Sequence, residues 1–232
     1  MEELDLRLKM LANVPILLDS ISIYPVSVRQ IAAFGYMEYN QALKILCIGK
    51  QDLKSLINEE ISPFEFLQMS MLFDPKIEEQ LRRLILLICK NKAVFSEEKQ
   101  GFIIGEGVLH KDNFDEFVNI IRIANCLDVG NITENPSNEK AKILLEKRRN
   151  IRNKIRRNNR SGSDDGLNLH DLVSIVSTGL RLPINEVLEY SVYQLSDALK
   201  RLISKENYDT SIYALIQGAN KNDLDLKHWT QK

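Results

Sequence analysis

Cysteine is scarce in this chain: Cys47, Cys89 and Cys126 are the only three in 232 residues. An odd number with no CxxC spacing supports neither a disulfide framework nor a zinc site. Each lies inside an apolar run, so all three read as buried free thiols of a reducing compartment. Long apolar stretches are also missing. The longest, Leu84–Cys89 (LILLIC), is six residues, whereas a bilayer-spanning helix needs about 20. The charged opening MEELDLRLKM has no apolar centre and does not read as a signal peptide. The expectation is a soluble cytoplasmic protein with no membrane contact.

Recognisable catalytic and cofactor motifs are absent too. GFIIGEG (101–107) is glycine-rich, but it lacks the GK[ST] ending that places a lysine on phosphates, and no GxGxxG occurs. His110, His170 and His228 are far apart and fall in no HExxH or Cys-paired spacing, so single cap or surface roles are expected rather than a metal site. Glu59-Glu60 and Asp164-Asp165 look like loop carboxylates rather than a positioned acid–base pair. No serine or cysteine sits in a nucleophile elbow or triad context. We therefore expect no enzyme, no cofactor and no metal.

What the chain does have is one concentrated block of charge. Residues 1–146 hold 16 basic and 22 acidic residues, and residues 161–232 hold 7 and 10. Between them, KRRNIRNKIRRNNR (147–160) carries Lys147, Arg148, Arg149, Arg152, Lys154, Arg156, Arg157 and Arg160, with no acidic residue. The net charge of -1 conceals this local device. Helical spacing would set Arg149, Arg152, Arg156 and Arg160 on one side, at a cost of a few tenths of a kcal/mol per like-charged pair. Phosphate contact would use such a face. The segment nevertheless has no aromatic residue for stacking on bases and no recognition-helix pattern. A solvated connector and a patch for an acidic protein partner remain open beside nucleic acid.

Elsewhere the periodicity is mostly helical. Residues 21–24 (ISIY) suggest a short extended segment ahead of Pro25. Ser27 with Gln30 forms a capping box opening a long helix through Gly35 to Gly49. Ser62-Pro63-Phe64-Glu65 is a second box with proline at the first helical position, and Asp74-Pro75 starts another helix. There Ile77, Leu81, Leu84, Ile85 and Ile88 share one face. Glycines 101, 105 and 107 among β-branched and aromatic residues predict a small hairpin near 94–110. Asp112-Asn113 is expected to cap a helix with Phe114, Phe117, Ile120, Ile121 and Ala124 on its apolar side.

Residues 129–140, rich in Asn, Gly, Pro and Ser, read as a boundary. Helical signals resume with Leu169, Leu172, Val173 and Val176, closed by Gly179, and again from Pro183 with Leu188, Val192, Leu195, Leu199 and Leu202. A last short helix would carry Tyr208, Ile212, Leu215 and Ala219. The fold class expected is mainly α, in two parts with a small β-hairpin in the first. Residues 1–135 would form a helical domain, 136–166 a basic helix or linker, and 167–232 a C-terminal helical domain. Tyr193 and the lone Trp229 are candidate protein-partner anchors, although for Trp229 the default reading is a clasp that docks the tail onto the C-terminal helices.

Two stretches carry a resemblance. ISIYPVSVRQIAAFGYMEYNQALKIL (21–46) presents an Ile-Tyr-Pro start, then Gly35-Tyr36 and Tyr39. The stretch 186–229 presents Tyr193-Gln194-Leu195, Asp197, Arg201, Tyr208-Asp209, Gly218-Ala219 and Leu226-Lys227-His228-Trp229. Together they resemble proteins encoded in the tail-gene region of phages and prophages of Gram-positive bacteria, and among these the tail assembly chaperones. The resemblance implies a helical protein of the host bacterial cytoplasm, with the virion as the other location. It also implies protein partners from the tail, the tape-measure and tail-tube proteins, bound without an active site. The chain is longer than that family leads one to expect, and its basic segment matches none of the family's motifs. The alternative function is a nucleic-acid-binding phage protein using residues 147–160.

Overall fold

The computed structural model describes residues 3–50, 52–53, 61–127, 168–218, 220, 226 and 228–230. The expected boundary, the basic segment 147–160 and the stretch 161–166 all lie outside these residues. The described chain is mainly helical, and no described helix is long and apolar enough to cross a membrane.

The first helix, α1 (Glu3–Leu11), leads into two short strands, β1 (Ile16–Leu18) and β2 (Ile21–Ile23). These pair antiparallel, Ile16 with Ile23 and Leu18 with Ile21. The extended segment expected at ISIY is thus one arm of a hairpin, turning on Asp19 and Ser20, both at positive φ.

The single long helix expected after Ser27 is instead two: α2 (Val28–Phe34) and α3 (Tyr36–Leu46). The Ser27–Gln30 capping box is present. Gly35, at φ 102 and ψ 112, ends one helix and starts the next. A Cβ there would meet nothing closer than 3.7 Å, so the glycine serves backbone conformation rather than close approach of another helix.

Helices α4 (Pro63–Phe73) and α5 (Pro75–Cys89) start as the capping signals predict, at Ser62 and Asp74. Leu81, Leu84, Ile85 and Ile88 are buried on one face of α5. The expected hairpin is a three-stranded meander of β3 (Ala93–Ser96), β4 (Gly101–Ile104) and β5 (Gly107–Leu109). Gly107 lets β5 reach the β1–β2 turn, since a Cβ there would sit 2.6 Å from the Asp19 carbonyl oxygen.

Helix α6 (Lys111–Ala124) follows, burying Phe114, Phe117, Ile120, Ile121 and Ala124. Its N-cap is His110 rather than Asp112. The ring Nδ1 accepts from the Asp112 amide at 3.3 Å, while Asn113 Oδ1 accepts from the His110 amide at 2.9 Å. Buried Asn113 also donates to Asp19 Oδ2 at 3.1 Å and to the Val108 carbonyl at 2.9 Å. One amide thereby ties α6, the meander and the first hairpin together.

In the C-terminal part α7 (Leu169–Leu180) runs through Gly179 and ends with Arg181 in the left-handed region. Gly179 is a packing residue: its Cβ would lie 2.8 Å from Leu202 Cδ1 of the last helix. The run expected from Pro183 divides into α8 (Ile184–Val187) and α9 (Val192–Ile216). A Ser191–Gln194 capping box restarts the chain as α9, and the short helix expected around Tyr208 is its continuation.

The main core gathers α1 to α6 and both sheets, with Phe114, Phe117, Met10, Leu81 and Leu84 among its fully buried side chains. A second cluster joins Val173, Val176, Val187 and Leu195 with Val28 of α2. Cys47 and Cys89 are buried free thiols as expected, but Cys126 is exposed, because the chain has already left α6 there. Burial pushes both inner thiols up to about 12, opposed at Cys47 by the nearby Arg122.

Candidate functional site

The two parts of the described chain meet at the N-terminus of α2. A helix leaves its first amides without intrahelical partners, and here they are satisfied from afar. The Val28 amide donates to the Tyr190 carbonyl at 3.0 Å, and the Arg29 amide to the Leu188 carbonyl at 2.8 Å. Ser27 and Ser191, each the cap of its own capping box, face each other in an antiparallel bridge. Both serines are buried, Ser191 completely. The Arg29 side chain adds an ion pair with Glu189 and a bond to the Asn185 carbonyl at 3.2 Å.

This junction holds α2 beside α7 and α8 and leaves an apolar groove of about 540 Å³ between them. Val28, Ile31 and Val173 form its buried floor. Tyr36 and Ile184 stand at its lips, 45% and 53% exposed. Asn168, His170 and Ser174 supply the polar rim, where His170 Nε2 lies 3.1 Å from Asp171. Among the described residues that line it there is no Lys, Arg, Asp or Glu. Such a surface accepts apolar side chains presented on a helix or an extended segment.

Among the described residues no group of three or more His, Cys, Asp or Glu could hold a metal ion. His110 is a helix cap, and the His228 ring packs edge-on against Tyr208, with centroids 4.9 Å apart. Trp229 stacks on His228 at 5.7 Å, so this part of the tail meets α9. Tyr193 is half-buried against the main core. Burial raises its phenol pKa, and Arg7 opposes the rise. Lys147, Arg148, Arg149, Arg152, Lys154, Arg156, Arg157 and Arg160 lie outside the described residues.

The groove residues were visible in the sequence only as members of separate apolar faces. The overlooked signal was the capping box Ser191–Gln194, which breaks the run after Pro183 and frees the 188–190 carbonyls to receive α2.

Residues 157–232 match the family model of the YomV second domain. The C-terminal part of the chain is therefore similar to a phage-type domain. This agrees with the phage origin implied by the resemblance and does not extend to tail assembly in particular. No curated protein and no solved structure matches the chain.

Proposed function

We propose that this chain, phage-type in its C-terminal part, works by protein–protein binding and without catalysis. It would present the groove between α2, α7 and α8 to an amphipathic helix of a partner. The observation that carries this reading is the groove itself: an apolar floor, exposed lips at Tyr36 and Ile184, and no charged residue among the described residues of its lining. Apolar anchors at three- and four-residue spacing fit such a surface. The partner we favour is a tail component, the tape-measure or tail-tube protein, held in the host cytoplasm during assembly as by a tail assembly chaperone.

The second reading, nucleic-acid binding, rests on the eight basic residues of 147–160. Affinity capture of the tagged chain from phage-producing cells, with and without nuclease, separates the two. Nuclease-resistant recovery of a tail protein, lost in Ile184→Glu, supports groove binding. Ile184 is about half exposed, so this variant should still fold. Recovery of nucleic acid, with proteins lost after nuclease and binding abolished by charge reversal at Arg152 and Arg156, would replace that reading.

A further inference from the structure

The meander has one covered edge and one open one. Its strand order is β3-β4-β5, and β5 lies against the first hairpin, where Gly107 meets Ile21 and the Asp19 carbonyl. Strand β3 pairs only with β4 among the described residues. Its start is anchored to α5, since Arg82 Nη1 donates to the Ala93 carbonyl at 2.5 Å. Beyond that point the strand bears large apolar side chains in the open, Val94 at 57% and Phe95 at 44% exposure. An unpaired edge with apolar flanks is a template for another strand.

The angle between β3 and α5 holds a cavity of about 420 Å³, lined by Pro75, Leu86, Ala93 and Val94 among charged side chains of both signs. Two arginines in that lining are already used: Arg82 pairs with Glu78 at 2.8 Å and Arg83 with Glu38 at 3.0 Å. Glu79 of α5 and Lys92, just before β3, line the same cavity and have no partner among the described residues. A surface carrying one free charge of each sign is complementary to itself. With Glu79 of one copy set against Lys92 of another, a two-fold axis forms the same pair twice, because an isologous contact pairs residue i with j and j with i.

The apolar pattern agrees with the charges. Val94 is opposite Ile103, and Ile103 opposite Val108, on the outer face of the meander. All three are exposed or half-exposed. Antiparallel pairing of two β3 strands would continue this row into a second copy, and cross-strand apolar pairs are what stabilise such a sheet.

We propose that β3 and the adjoining face of α5 form a self-association surface, with a second copy of this chain as occupant. The test is light scattering of the purified full chain, with no partner added, across a concentration series for wild type and charge variants. A dimer is expected, with its dissociation constant raised about tenfold by Lys92→Glu, which sets like charges together at two symmetric places. Glu79→Lys should weaken it similarly, and Glu79→Lys with Lys92→Glu should restore it. Val94→Lys, at an exposed site, should leave a folded monomer. A chain monomeric at every concentration overturns the proposal. So does a dimer indifferent to these variants, and so does an edge that pairs only with a strand of another protein.

Discussion

Val28 and Arg29 are neighbours on the first turn of α2, and both contact the C-terminal part. Replacing each with Ala in turn asks whether packing or polar contact holds the junction. Val28 is buried among Val173, Val176, Val187 and Leu195. Truncation removes two methyl groups, costing about 1.6 kcal/mol in transfer terms. The cavity left behind raises the cost to about 2–3 kcal/mol. Arg29 and Glu189 are 49% and 60% exposed, a setting in which an ion pair contributes about 0–1 kcal/mol. The bond to the Asn185 carbonyl is partly replaced by water when lost, so Arg29→Ala should cost about 1 kcal/mol or less. For a chain of this size about 1 kcal/mol corresponds to 2–4 °C in Tm. Val28→Ala should therefore lower Tm by about 4–12 °C, and Arg29→Ala by no more than about 4 °C. Urea unfolding followed by far-ultraviolet circular dichroism and by Trp229 emission supplies the free energies, provided that the two probes coincide. If Arg29→Ala costs as much as Val28→Ala, the packing argument is wrong and the polar contacts hold the junction.

Two further predictions concern groups whose environments differ sharply. Cys126 is exposed while Cys47 and Cys89 are buried with thiols pushed up to about 12, so a thiol reagent at neutral pH should label Cys126 quickly. The other two should react only on unfolding; rapid native labelling of all three, mapped by mass spectrometry, would contradict the burial. The Glu65 carboxylate accepts from the Ser62 amide at 2.9 Å and lies 3.2 Å from Lys111 Nζ, which hold it down at about 2 against an ordinary 4.5. Its contribution to stability is complete above pH 4.5 and is lost as pH falls toward 2, where the folded carboxyl also protonates. Glu65→Gln preserves a capping-box side chain without the titration. Its Tm should fall less steeply than wild type across that window, and equal slopes would refute the assignment.

Local signals in the sequence were enough for much of the framework. Ser27, Ser62 and Asp74 start helices where their hydroxyl or carboxylate oxygens predict, because an N-cap is satisfied within three residues and needs no distant partner. The apolar faces of α5 and α6 were equally legible, since burial of one stripe imposes a 3.6-residue period. The meander was recognised as β structure, but its third strand and the separate first hairpin were not. Strands that short become strands only through their partners. Gly35 and Gly179 show the limit from another side. Both are glycines within helical patterns, yet one adopts a backbone conformation closed to other residues and the other makes room for Leu202.

The amino-acid sequence by itself determined a mainly helical chain, its principal helix starts, its buried apolar stripes and the concentration of positive charge in 147–160. Tertiary structure alone decided that α2 would give its first amides to the 188–190 carbonyls, and that Val28 would join the second cluster. It also decided that Glu79 and Lys92 would share one cavity, with no partner for either among the described residues. Caps and periodicity are written in residues a turn or two apart. A groove or an open strand edge depends on contacts between segments more than a hundred residues apart, or on the lack of any contact, and neither leaves a period to read.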